Sequence, residues 1–237
     1  MGLARYERIP ERALAIYAHP DDAQVAAGGT LARWAQGGCA MHLVVCTDGA
    51  KGSLDPSADL VALSRQRSQE ISDSIEALGF SSWEQLGIPD GEVENDKELR
   101  RALVEIVRNF VPEVVLSHDP TAVFFGRHYV NHRDHRELGW AVLDAVAPAA
   151  GQPHYFPELD SGAHEVHAMF LSGTLEPNVS VDLREVLDAK AKAVAMHRSQ
   201  FVEEPELVEE LVRRRASEDG QRAGCSAAEL FRQLDLG

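Results

Sequence analysis

Two short clusters in this sequence have the residue types and spacing of a metal-assisted hydrolytic site: Ala18-His19-Pro20-Asp21-Asp22 and Asn131-His132-Arg133-Asp134-His135. His19 and Asp22 are three residues apart. If the turn after Pro20 opens a helix, both point into one crevice while Asp21 points elsewhere. That is a metal-ligand spacing, and it gives neighbouring aspartates separable jobs, one on a cation and one taking a proton from a bound water. The plainer alternative is that both acids only cap the following helix. His132 and His135 repeat the spacing, and Asn131 with Asp134 resembles a capping pair. Capping does not account for the histidines. Taken together, the two clusters favour a metal-dependent hydrolase.

The elements that must position these clusters follow from the apolar pattern. Residues 13–18 are apolar on both parities, as in a parallel strand buried on both faces. Such a strand presents chemistry at its carboxyl end. Further strands are expected over 41–47, 81–86, 113–117, 166–171 and 179–181, and helices over 25–36, 59–78, 96–110, 136–147 and 183–196. Their alternation predicts an α/β fold, a doubly wound, mostly parallel sheet with helices on both faces.

Several details carry expectations. Gly28-Gly29 reads as a tight packing contact inside the first helix, and Leu60, Leu63, Ile71, Ile75 and Leu78 should face the sheet. Arg67 and Glu70 would ordinarily be a solvated ion pair, and Asp90 an ordinary turn acid. The loop 47–53 faces the same crevice, and the aromatic loop 121–130 could form a pocket wall. His154 and His164 receive no role, and the tail from Glu203 reads as solvated helix and loop.

With 237 residues and 44% hydrophobic content, one domain over 1–237 is the simplest count. A net charge of −15 with no basic block argues against a nucleic-acid partner. No apolar run is long enough for a membrane span or a secretory segment, so a cytoplasmic protein with no membrane partner is expected. Three cysteines without a CxxC pair fit a reduced compartment, with Cys39 and Cys46 as small core residues.

The paired segments Ala18-His19-Pro20-Asp21-Asp22 and His132-Arg133-Asp134-His135 resemble the signature of the LmbE-like, or PIG-L, family of zinc-dependent N-deacetylases. The likeness extends through Arg67-x-x-Glu70, Leu86-Gly87-Ile88-Pro89-Asp90-Gly91, Ser117-His118-Asp119-Pro120, Lys190 and His197-Arg198-Ser199-Gln200, spanning most of 13–200. The resemblance implies a Rossmann-like fold. It implies that His19, Asp22 and His135 hold zinc, and that Asp21 is the general base. It further implies that His132, oriented by Asp134, stabilises the oxyanion or protonates the leaving amine, and that Arg67 and Asp90 contact the sugar. Gln24 departs from the family's usual Glu, which touches a supporting hydrogen bond and none of the ligands.

The expected function is therefore removal of an acetyl group from an N-acetylglucosamine-type sugar or conjugate, a small-molecule partner. Zn2+ is the default cofactor, but the same donors accept Fe2+, Mn2+ or Co2+. Alternatives are an amidase releasing a larger acyl group, a metal- or sugar-binding protein without turnover, and a two-metal phosphoesterase. A homo-oligomer stays open.

Overall fold

The computed structural model describes residues 3–201 and 205–237, so Glu203 and Glu204 of the expected tail lie outside the described residues. The elements, in chain order, are β1 (Ala4–Arg5), β2 (Arg12–Tyr17), α1 (Asp22–Gln36), β3 (Ala40–Thr47), α2 (Leu60–Leu78), β4 (Trp83–Ile88), α3 (Lys97–Phe110) and β5 (Val114–His118). There follow β6 (Phe124–Phe125), β7 (Tyr129–Val130), α4 (Arg133–Asp144), β8 (Ala168–Ser172), β9 (Val179–Asp182), α5 (Leu187–Ala195), α6 (Pro205–Ala223) and β10 (Ala228–Asp235).

Eight strands form one sheet in the order β1-β9-β10-β8-β5-β2-β3-β4. β2 lies between β3 and β5 and is parallel to both. Ala13, Ala15 and Tyr17 join the core under α1 and α2, while Leu14, Ile16 and Ala18 join the core under α3 and α4. None of these six residues is exposed, which is why the run is apolar on both parities. The chain leaves β2 toward β3 and β4 on one side, then returns to β5 and β8 on the other. The order reverses between β2 and β5, and that switch point is where both expected clusters emerge.

Four expectations need correction. The tail is not solvated helix and loop: β10 enters the sheet between β8 and β9, antiparallel to both, with Ala228, Glu229 and Phe231 buried. Its alternation of apolar and charged residues hid a strand whose buried charge is neutralised from another element. Leu60 is exposed and Leu63 only half-buried. The 19-residue α2 is about 28 Å long, against about 20 Å for a six-residue strand, so its first turns overhang the sheet. Helix α4 starts at Arg133 rather than 136 and ends at Asp144, where a π-type turn, Ala145–Ala150, accommodates Pro148. Helix α1 starts at Asp22, earlier than the apolar periodicity suggested, because its first turn is held by polar site residues.

The Gly28-Gly29 pair is a packing contact. A Cβ on Gly29 would lie 2.5 Å from Leu183, and one on Gly28 would touch Lys190. Cys39 and Cys46 are buried and unpaired. Residues 121–130 form the β6–β7 hairpin, with Phe124, Tyr129 and Val130 exposed. Among the described residues no helix is long and apolar enough to cross a membrane.

Candidate metal centre and active site

Beyond Tyr17 the chain makes a tight turn in which the Asp22 amide donates to the His19 carbonyl and the His19 amide donates to Asp22 Oδ2 at 2.7 Å. Asp21 occupies the N-cap position of α1, yet its side chain accepts no capping hydrogen bond. The plain capping reading therefore fails for Asp21, and Asp22 is spent on His19 rather than on the helix. From the other side of the switch point, the first turn of α4 brings in His135.

Three donor atoms then converge. His19 Nδ1 lies 3.1 Å from Asp22 Oδ2 and 3.1 Å from His135 Nε2, and His135 Nε2 lies 3.2 Å from Asp22 Oδ2. A tetrahedral ion with bonds of about 2.0–2.1 Å has ligand–ligand edges of roughly 3.3 Å, so this triangle fits one face of such a site. The chemistry of the donors agrees. Two imidazole nitrogens and a carboxylate oxygen cannot all satisfy one another at these distances by sharing hydrogens, but all three can satisfy a cation.

The field points the same way. Burial alone would depress the His19 pKa, but the Asp22 charge and the close carboxylates of Asp134, Asp22 and Asp90 outweigh it and push the pKa up to about 12. Burial would raise the Asp22 carboxyl, but His135 and His19 hold it well below the usual range. Both shifts describe a pocket that draws positive charge. His135 Nδ1 lies 3.1 Å from Asn131 Oδ1, which fixes the tautomer that leaves Nε2 free for a metal.

Asp90, Asp134 and His132 lie on the far side of the His19 ring. His19 Nε2 is 3.3 Å from Asp90 Oδ1 and 3.4 Å from Asp134 Oδ2. Asp134 is fully buried and accepts the Gly91 and Val93 amides at 2.7 and 3.3 Å. Its carboxylate is 3.9 Å from His132 Nδ1, too far to orient that ring by a hydrogen bond. The Asp134 backbone amide does so instead, donating to His132 Nδ1 at 3.1 Å, with His132 itself as the N-cap of α4. Asn131 is therefore not the cap: its side-chain nitrogen donates to the Ala122 carbonyl and ties the base of the β6–β7 hairpin to the site. Burial and the nearby His19 charge lower the His132 pKa, favouring a neutral imidazole whose proton sits on Nε2.

Arg67 and Glu70 do not pair with each other on a solvated face; both are buried. Arg67 donates to Asp21 Oδ1 at 2.7 Å and to the Gly49 carbonyl at 2.8 Å. Glu70 accepts from the Ser199 amide and hydroxyl at 2.9 and 2.6 Å. Gln24 is buried against Ser74 Oγ at 2.7 Å. Turned so that its oxygen accepts from Ser74, its nitrogen donates to the Pro20 and Asp21 carbonyls at 3.2 and 3.3 Å.

The sequence reading gave no individual role to His118. At the carboxyl end of β5, its ring stacks on His135 with centroids 4.0 Å apart, and its Nε2 accepts the Ala18 amide at 3.1 Å. Burial and the charge of His135 lower its pKa to about 4, so His118 stacks against His135 as a neutral ring. Its position at a strand end was the available signal.

A family profile described as PIG-L, GlcNAc-PI de-N-acetylase, matches residues 14–146. The chain is 32% identical over 226 residues to a diacetylchitobiose deacetylase of Thermococcus kodakarensis, covering 94% of this chain and 82% of that protein. It is 34% identical over 168 residues to a 1D-myo-inositol 2-acetamido-2-deoxy-alpha-D-glucopyranoside deacetylase of Saccharopolyspora erythraea, covering 61% of this chain and 59% of that one. The fold superposes on N,N'-diacetylchitobiose deacetylase from Pyrococcus horikoshii with a TM-score of 0.86 and 28% identity, covering 95% of this chain and 84% of that one.

Proposed function

The chain belongs to the PIG-L family, and from that premise we propose that it is a metal-dependent hydrolase that removes the acetyl group from an N-acetylglucosamine-type sugar or conjugate. The observation that carries this reading is the His19–Asp22–His135 triangle with Asp21 next to it in sequence and outside it in space. Zinc is the ion that best suits a small mixed N/O triangle, and Fe2+, Mn2+ or Co2+ would fit the same donors. When bound, such an ion supplies Lewis acidity to a water and to the amide carbonyl.

The chain's own residues do the rest. Asp21 has Oδ1 engaged by Arg67, which leaves Oδ2 to accept the proton of the attacking water. His132, held by the Asp134 amide and 43% exposed, offers its Nε2–H as a hydrogen bond to the developing oxyanion. The proton that Asp21 takes from the water is the one that passes to the departing amine. Asp134 and Asp90 keep the far nitrogen of His19 facing negative charge, which strengthens its other nitrogen as a donor. Asp90, at the rim of the same crevice, is also placed to take a sugar hydroxyl.

The test is release of acetate from a panel of N-acetylglucosamine, N,N'-diacetylchitobiose and N-acetylglucosaminyl-inositol. Turnover on at least one, lost in His132→Ala with metal content retained, supports the reading. Acetate release that is absent from the whole panel at full metal loading sinks it.

A further inference from the structure

The β6–β7 hairpin stands beside the site with a face that the mechanism leaves unused. Phe124 lies opposite Val130, and Phe125 opposite Tyr129. The ladder runs one step further, because the Asn131 amide donates to the Val123 carbonyl at 2.8 Å. Alternate residues of such a strand share a face, and directly opposed residues share it too. Burial follows that rule: the Asn131 side chain turns inward to His135 and Ala122, while Val130 and His132 on either side of it are exposed. Phe124, Val130 and His132 therefore line one face. His132 begins it inside the site, its ring edge-on to His19 with centroids 4.7 Å apart. Val130 and Phe124 continue it outward, 60% and 65% exposed. On the opposite face Phe125 and Tyr129 pack on each other, ring centroids 5.8 Å apart, which stiffens the hairpin.

We propose that this ledge is the subsite for the part of the substrate beyond the acetamido sugar, and that its occupant is a second sugar or cyclitol ring lying against Phe124 and Val130. This rests on the functional reading above, which places the acetamide at His132. The page of contacts between protein and ring is set by reach, chemistry and size. Two residues of extended chain, from His132 to Val130, span about 6.6 Å, comparable with the length of one sugar unit. The C–H bonds of such a ring present partial positive charge to the negative face of an aromatic side chain. Its hydroxyl rim needs polar neighbours, and Arg127 and His128, both exposed, occupy the turn of the same hairpin. The ledge is also small. Two side chains of at most about 250 Å² each fall well short of the roughly 800 Å² per partner that a stable protein interface buries.

The experiment is steady-state kinetics of wild type, Phe124→Ala, Phe124→Trp and Val130→Asp on N-acetylglucosamine, N,N'-diacetylchitobiose and N-acetylglucosaminyl-inositol, with the metal content and gel-filtration size of each protein. Wild type should favour at least one two-ring substrate over N-acetylglucosamine by about 10-fold or more in kcat/KM, the scale of an aromatic contact with its buried area. Phe124→Ala should shrink that ratio by about 10-fold, and Phe124→Trp, which keeps a flat aromatic face, should hold it within about threefold. Should Phe124→Ala fail to fold, Val130→Asp decides, because a charge on the same ledge should shrink the ratio as well. If N-acetylglucosamine binds without turnover, its inhibition constant serves as the one-ring reference. Equal kcat/KM for one-ring and two-ring sugars in wild type overturns the proposal, as does an equal loss on all three sugars in Phe124→Ala. A change of oligomeric state on replacing Phe124 overturns it too, and makes the hairpin a contact between copies of this chain. Each of these leaves the deacetylase reading standing. Wild type inactive on every sugar at full metal loading instead sinks that reading, and this proposal with it.

Discussion

Asn131 joins two things at once: its Oδ1 lies 3.1 Å from Nδ1 of His135, and its Nδ2 donates to the Ala122 carbonyl at the foot of the β6–β7 hairpin. The acceptor on the far nitrogen of a metal-binding histidine fixes both tautomer and ring orientation. Asn131→Ala should therefore weaken metal affinity about 10- to 100-fold without unfolding the chain. Titration of the apo-protein with Zn2+ against a competing chelator measures it, and unchanged affinity would remove Asn131 from the site.

The two neighbouring aspartates should part on substitution. Asp22→Asn removes charge from the ligand triangle, so metal binding weakens and excess metal recovers part of the rate. Asp21→Asn leaves the triangle whole, so metal content stays normal while single-turnover rate falls by roughly two or more orders of magnitude. Metal analysis with single-turnover kinetics separates them, and the reverse pattern would exchange their roles.

Gln24 stands where the resembled sequences usually carry Glu, and its surroundings suit an amide. Its oxygen side meets a hydroxyl and its nitrogen side meets two backbone carbonyls. A carboxylate there would set unpaired acceptors against acceptors, at a cost of about 1–3 kcal/mol. Gln24→Glu should lower the unfolding temperature near pH 7. An equal or higher temperature would mean that the surrounding backbone rearranges to supply donors.

Glu229 of β10 is buried and accepts the Gly29 and Thr30 amides of α1, each at 2.8 Å, and Lys190 Nζ at 2.6 Å. Lys190 in turn donates to the Val25 carbonyl. The pair thus supplies outside partners to both ends of one backbone rung of the helix that opens with Asp22. Removing one member of a buried, hydrogen-bonded pair costs about 3–5 kcal/mol, so Glu229→Ala should show that loss in urea unfolding. A chain ending at residue 200 should not fold. A stable, metal-binding truncation would show that β10 is an accessory strand.

These residues also show what the sequence made legible. Strand ends and the His–Asp spacings are local, and they located β2, the switch point and the convergence of His19, Asp22 and His135. The tail was opaque because Glu229 and Arg232 interrupt the apolar pattern of β10, and the lysine that neutralises Glu229 is 39 residues earlier. Arg67 and Glu70 looked like a solvated pair because three-residue spacing is a local signal, whereas their partners Asp21, Gly49 and Ser199 arrive from three other segments. His132 drew its expected partner from the right residue, Asp134, but from the backbone amide instead of the carboxylate.

The central claim is that the His19–Asp22–His135 triangle holds a divalent ion on which hydrolysis depends. The direct measurement is elemental analysis of wild type and His135→Ala, before and after exhaustive chelation, in parallel with acetate release. Wild type should carry one ion per chain, lose it and its activity together, and regain both on adding Zn2+. His135→Ala should stay folded yet hold the ion poorly and turn over slowly. Full activity in metal-free wild type, or a full metal complement in His135→Ala, would contradict it.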